Sequence, residues 1–147
     1  MATVNGEVDI RATPQQILDV IADLAQYPAW SSVHKRASID QFDSDGRPIR
    51  ATMAVTAAGL TDEQVLDYEW TDHDVTWTLV KSGQQRDQHG SYAIRRASRG
   101  VSHVRYVLDI TPAIPVPGFI VRQVMRKAVS AATDGLRKRV ESLQEKS

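Results

Sequence analysis

Residues 66–79 read Leu66-Asp67-Tyr68-Glu69-Trp70-Thr71-Asp72-His73-Asp74-Val75-Thr76-Trp77-Thr78-Leu79. Large apolar side chains alternate with polar ones on both sides of Asp72-His73. Period-two alternation is the mark of half-buried strands, here two strands folded back on each other. A two-residue turn at Asp72-His73 sets Trp70 opposite Val75, Tyr68 opposite Trp77 and Leu66 opposite Leu79. Three aromatic rings then share one face, and Asp67, Glu69, Thr76 and Thr78 share the other.

The same reading extends outward through the neighbouring turns. Gly59-Leu60, taken as a glycine-first turn, sets Met53 opposite Leu66 and Ala51 opposite Tyr68. Gly83-Gln84, also glycine-first, sets Lys81 opposite Arg86, Leu79 opposite Gln88, Trp77 opposite Gly90 and Val75 opposite Tyr92. A three-residue loop, Ser98-Arg99-Gly100, sets Tyr92 opposite Tyr106 and Ile94 opposite Val104. All four turns agree on the facing. Met53, Val55, Leu66, Tyr68, Trp70, Val75, Trp77, Leu79, Tyr92, Ile94, Val104, Tyr106 and Leu108 point one way. Thr52, Thr56, Ser91, Arg95, His103 and Arg105 join the polar face. Slipping any hairpin by one residue destroys this agreement. The Asp43–Pro48 connection fits an odd-length loop, because a two-residue turn at Asp45-Gly46 would send Ile39 and Met53 to opposite faces.

The spacing predicts strands near 33–42, 49–58, 61–71, 74–82, 85–97 and 101–111, preceded by an alternating strand over 3–12. Thr13-Pro14-Gln15-Gln16 opens a helix between them: Thr13 caps, Pro14 suits the first helical position and Gln16 completes a capping box. Ile17, Leu18, Ile21 and Leu24 form its apolar stripe, and Tyr27-Pro28 ends it. Three prolines in 112–117 break regular structure. Residues 118–144 then read as one long helix, with Val121, Met125, Ala128, Ala132, Leu136, Val140 and Leu143 at helical spacing. The expected fold is α+β. A seven-stranded antiparallel sheet curves around a long C-terminal helix, which covers its apolar face.

Composition narrows the function. The chain has 147 residues, 41% hydrophobic and 24% charged, with no net charge and no cysteine. This length suits a single domain, taken here as residues 1–147. Zero net charge argues against a nucleic-acid binder. Lack of cysteine excludes disulfides, thiolate metal sites and cysteine nucleophiles. His34, His73, His89 and His103 show no metal-ligand spacing, and no nucleotide-binding motif occurs, so no metal or cofactor is expected. No signal peptide or membrane-spanning run is visible, so a cytoplasmic protein is the expectation.

Two features point to a hollow interior. The middle of the C-terminal helix is small (Ala128, Ala131, Ala132, Gly135). Polar groups are also mixed into the inward face, namely Gln64, Gln88 and the hydroxyls of Tyr68, Tyr92 and Tyr106. Apolar walls with a few convergent polar groups characterise small-molecule sites. The candidate ligand-binding residues are Trp30, Met53, Gln64, Leu66, Tyr68, Trp77, Leu79, Gln88, Tyr92, Tyr106 and Met125.

Residues 22–30 (Ala-Asp-Leu-Ala-Gln-Tyr-Pro-Ala-Trp), 68–70 (Tyr-Glu-Trp), 75–79 (Val-Thr-Trp-Thr-Leu), 90–92 (Gly-Ser-Tyr) and 104–108 (Val-Arg-Tyr-Val-Leu) carry a resemblance. Over about residues 3–143 the chain resembles the polyketide cyclase/dehydrase and lipid-transport family of the START-like (SRPBCC, Bet v 1-like) superfamily. The resemblance implies a helix-grip fold, one or two short helices after the first strand, and a cavity for lipids, polyketides or similar molecules. Enzymes of this superfamily commonly add inward Arg, Tyr, Ser, His or Asp. The inward face read above offers tyrosines and glutamines but no histidine or carboxylate.

The leading expectation is binding, transport or sequestration of a hydrophobic small molecule. A cyclase/dehydratase is the alternative, with Tyr92, Tyr106 and Arg86 as its acids. An interaction module without a ligand is the third. Arg122, Arg126, Lys127, Arg137, Lys138 and Arg139 on the helix, with a second basic area of Arg95, Arg99 and Arg105 on the last hairpin, leave room for transient membrane-surface contact, and the chain is expected as a monomer or homodimer.

Overall fold

Alternation forms the first element and a cap ends it. In the computed structural model, which describes residues 2–145, β1 (Ala2–Ile10) alternates half-buried and exposed side chains. Residues 1, 146 and 147, the outer ends of the expected domain, lie outside the described residues. Thr13 then starts α1 (Pro14–Ala22). Its side chain accepts from the Gln16 N–H at 3.2 Å, and the Gln16 side chain accepts from the Thr13 N–H at 2.9 Å. Helix α1 buries Ile17, Leu18 and Ile21, and is followed by a 3₁₀ turn (Leu24–Gln26) and α2 (Tyr27–Trp30).

Six strands follow: β2 (His34–Phe42), β3 (Pro48–Ala57), β4 (Leu60–Trp70), β5 (Asp74–Ser82), β6 (Gln85–Ser98) and β7 (Val101–Pro112). They pair antiparallel in the order β1-β7-β6-β5-β4-β3-β2. The C-terminal helix comprises α3 (Gly118–Ser130), a π-helical turn (Ala131–Gly135) and α4 (Leu136–Glu145). It lies across the concave face, touching β1 on one side and β3 on the other, with α1 against α4. No helix among the described residues is long and apolar enough to cross a membrane.

The β4–β5 register is the expected one: Trp70 faces Val75, Tyr68 faces Trp77 and Leu66 faces Leu79. So is the inner part of β5–β6 and β6–β7, where Trp77 faces Gly90, Val75 faces Tyr92 and Tyr92 faces Tyr106. The residue 43–47 connection is odd-length, as the facing required. The β3–β4 turn differs. Its central residues are Ala58 and Gly59, both at positive φ (52° and 78°) as a type I′ turn demands, so Met53 faces Gln64 and Ala51 faces Leu66. The slip is two residues, which preserves every facing.

A second difference lies at the outer ends of β5 and β6, which pair only as far as Thr78–His89. The expected Lys81–Arg86 and Leu79–Gln88 pairs do not form. Val80 is an extra residue in β5 opposite β4, and Arg86 is an extra residue in β6 opposite β7. A bulge leaves its residue unpaired and reverses the alternation beyond it. Gln85 therefore turns inward and Arg86 outward.

Candidate functional site

The inward face and the C-terminal helix enclose a cavity of about 180 Å³. Trp77 is the hub of its wall, with ring centroids 5.9 Å from Tyr68, 5.8 Å from Tyr92 and 6.1 Å from Tyr106. Gly90 makes this possible: a Cβ there would sit 2.0 Å from the Trp77 ring. The helix contributes Val121, Val124, Met125, Ala128, Ala131 and Ala132, and the short Ala side chains leave the space open. The mouth lies at the strand ends where exposed Leu60 and Gln84 meet half-buried Val116 and Ile120.

Of the residues expected to bind ligand, Trp30, Met53, Gln64, Leu66, Tyr68, Trp77, Gln88, Tyr92, Tyr106 and Met125 line this cavity. Leu79 does not; it is half-buried and packs against the core beside it. Arg86 does not either, because the bulge turns it to solvent. It is therefore not the cavity acid that the cyclase alternative needed.

The glutamines are tied to the protein rather than left open. Trp77 Nε1–H donates to Gln88 Oε1 at 3.0 Å, and Gln88 Nε2 donates to Gln85 Oε1 at 2.9 Å and Gln64 Oε1 at 3.4 Å. Gln64 and Gln85 in turn donate to Asp62 Oδ2, at 3.1 and 3.0 Å. An indole N–H only donates and a carboxylate only accepts, so both ends of the chain fix the direction of every amide between them. Ser82 Oγ and the N–H groups of Gly83 and Gln84 complete five donors on the Asp62 carboxylate. That clamp holds the β5–β6 turn against β4 where the strands no longer pair.

The hydroxyls divide. Tyr92 donates to the Ala132 carbonyl at 2.9 Å, inside the π-helical turn, where the wider helical repeat disturbs the regular bonding of carbonyls. Tyr68 and Tyr106 have no hydrogen-bond partner in the protein among the described residues. Burial pushes the phenols of all three up from their ordinary range, so each stays neutral and is a weaker acid than an exposed tyrosine. Trp30 Nε1 is buried in the wall without a partner among the described residues.

Asp62, His34 and Tyr27, none of them among the expected ligand-binding residues, also line the cavity. Asp62 follows the same alternation as Gln64, Leu66 and Tyr68, so the parity already in hand could have found it. His34 could not be placed, because β2 pairs with β3 through bulges at His34/Arg36 and Ile39/Gln41. Its Nδ1 is 2.6 Å from Ser31 Oγ, and its ring stands edge-on to Tyr27 at 5.1 Å. Desolvation lowers its pKa to about 4, so at neutral pH it is an uncharged imidazole. The expectation of an inward face without histidine or carboxylate is thus corrected. The other histidines lie outside: His103 bonds Asp9 and Glu7, His89 pairs with Asp87, and His73 is in the β4–β5 turn.

Comparison with known proteins agrees with this architecture. A START superfamily protein from Mycobacterium smegmatis superposes with a TM-score of 0.86 at 22% identity, over 96% of this chain and 98% of that one. The Zhui aromatase/cyclase from Streptomyces superposes at 0.83 with 10% identity, over 95% and 93%. A Thermus thermophilus protein does so at 0.82 with 16% identity, over 97% and 99%. These likenesses show a shared fold. No curated protein sequence matches the chain. The sequence pattern described as polyketide cyclase / dehydrase and lipid transport matches residues 1–146, and with it the chain belongs to that family.

Proposed function

We propose that this protein binds a hydrophobic small molecule in the cavity between sheet and helix. The observation that carries the reading is an aromatic-walled space in which two phenol hydroxyls, of Tyr68 and Tyr106, have no partner among the described residues. The space exceeds the roughly 150 Å³ that accommodates a benzene-sized guest. A buried polar group without a partner costs roughly 1–3 kcal/mol, which a ligand carbonyl or hydroxyl, or water in its absence, offsets. Trp77, Tyr68 and Tyr106 supply the flat walls, and Met53 and Met125 supply adaptable ones.

Titration with a neutral apolar dye tests this. Saturable binding is expected, with quenching of tryptophan fluorescence. It is lost in Ala128→Trp, which fills the space while leaving the circular dichroism spectrum intact. Failure of several apolar probes to bind, together with no co-purified apolar molecule in native mass spectrometry, would sink the reading and favour an interaction module.

A second reading, cyclase or dehydratase chemistry on a polyketone, is favoured by one observation, the His34–Ser31 pair in the cavity wall. With Arg86 outside and the tyrosines made weaker acids, that pair is the place to look. Turnover abolished by His34→Gln would support it, and turnover unchanged in that variant would remove the assignment.

A further inference from the structure

The strand registers bring the β3–β4 turn, the β5–β6 turn, the end of β7, the 113–117 segment and the start of α3 to one end of the molecule. This is also the end where the cavity opens. Four of the six large hydrophobic residues left exposed among the described residues are here: Leu60 (41%), Val80 (47%), Ile114 (58%) and Phe119 (58%). Pro112, Pro115 and Pro117 flank Ile114 and restrict its segment, so little chain entropy is lost if it is held elsewhere. On α3, Phe119, Arg122 and Arg126 follow the i, i+3, i+7 spacing of one solvent face, while Ile120, Val121 and Val124 turn into the cavity.

Positive charge accompanies this apolar patch. Arg11, Arg36, Arg47, Arg50, Arg95 and Arg137 are all held in ion pairs. Lys81, Arg86, Arg122, Arg126 and Lys127 make no ion pair among the described residues and are exposed at the mouth end or on the helix that leaves it; Lys35, Arg96, Arg99, Arg105 and Arg139 also make none, but they are scattered over β2, the β6–β7 hairpin and α4, away from the protruding apolar residues. Of the acids nearby, Asp62 is buried under five donors and Glu63 pairs with Arg36, while Asp87 lies 3.3 Å from the His89 ring nitrogen, a contact that is an ion pair only when the imidazole is protonated. A chain with no net charge therefore carries a local positive field around a ring of protruding apolar side chains.

We propose that this end docks on an anionic lipid bilayer, with Ile114 and Phe119 inserted among the headgroups and the unpaired cations against the lipid phosphates. Apolar insertion combined with cationic flanks is the combination that holds a protein at such a surface. Cations near an anionic leaflet contribute on the order of fivefold in partitioning each. The docked orientation presents the mouth to the membrane. The inference goes beyond ligand binding, and its test does not depend on it.

Co-sedimentation with vesicles decides it, using phosphatidylcholine alone and phosphatidylcholine mixed with phosphatidylglycerol. The expected result is binding to the mixed vesicles, weak binding to the neutral ones, and release near 1 M salt, where the Debye length falls to about 3 Å. Arg122→Glu with Arg126→Glu lowers the partitioning at least about tenfold. Ile114→Ser with Phe119→Ser lowers it independently of salt. None of the four side chains lies in the core, and dye binding in solution is unchanged in both variants, which separates this outcome from failure of the cavity reading. Equal binding to both vesicle types, no binding to either, or retention by the double variants would overturn the proposal. So would sedimentation velocity showing a dimer that the Ile114/Phe119 variant dissolves, since the patch would then serve a second copy of the chain.

Discussion

At the scale of single residues the cavity depends on an absence. Gly90 has no Cβ, and the Trp77 indole occupies the place where one would be, 2.0 Å from the ideal position. Trp77 is in turn held through Nε1, on the edge that lies over Gly90, by Gln88 and surrounded by three tyrosines. Gly90→Ala must therefore push the indole off its seat, because the strand backbone on either side is fixed by the β5 and β7 ladders. Overpacking of this kind costs about 1–3 kcal/mol. The expected outcome is a lower urea midpoint with an unchanged slope, and a shift in tryptophan emission as the Nε1–Gln88 bond breaks. Unchanged stability and emission would mean that Trp77 has another rotamer open to it.

Among the elements, the C-terminal helix separates two tyrosines that the β6–β7 register treats as a pair. Tyr92 and Tyr106 face each other with centroids 5.1 Å apart, but only Tyr92 reaches a helix carbonyl, that of Ala132. Tyr92→Phe should cost roughly 1–3 kcal/mol by leaving that buried acceptor without its side-chain donor. Tyr106→Phe should cost much less, because its hydroxyl gives up no bond to the protein. Urea unfolding of the two variants side by side measures the difference, and equal losses would contradict it.

The sequence could show the pair but not the distinction. Alternation and turn length decide which way a strand residue points, and they placed Tyr68, Trp77, Tyr92 and Tyr106 inward correctly. They carry no information on where a helix widens into a π turn, and so none on which hydroxyl finds a backbone partner. The same limit explains Arg86 and His34. A bulge reverses alternation beyond it, and no turn residue announces the one at Arg86 or those in β2. Asp62 is different, since its parity was readable. A carboxylate on an apolar face simply goes against composition until its five donors are seen.

For the whole molecule the consequence is a pH dependence with a defined sign. His34 has its pKa lowered to about 4 by desolvation in the cavity wall, against an ordinary value near 6.5. Between those values the unfolded chain takes up a proton that the folded one refuses, so stability falls as pH falls, by at most about 1.4 kcal/mol per pH unit. His103 works in the opposite direction. Asp9 and Glu7 raise its pKa, so its contribution is complete below pH 6.5 and is lost only as pH rises through the raised value. Asp67, Asp74, Asp134 and Glu141 have lowered values, and their contributions fail only as pH drops through and below the ordinary carboxylate range. The interval from about 6.5 to about 5, above the carboxylate range, therefore reports chiefly on His34. Thermal or urea unfolding across that interval should show a falling stability in the native chain and a much flatter profile in His34→Gln, which keeps a polar group beside Ser31 but does not titrate. A ligand filling the cavity deepens the desolvation, and should extend the fall to lower pH at the same limiting slope. Coincident profiles for the native chain and His34→Gln would place the imidazole in contact with solvent and take it out of the cavity wall.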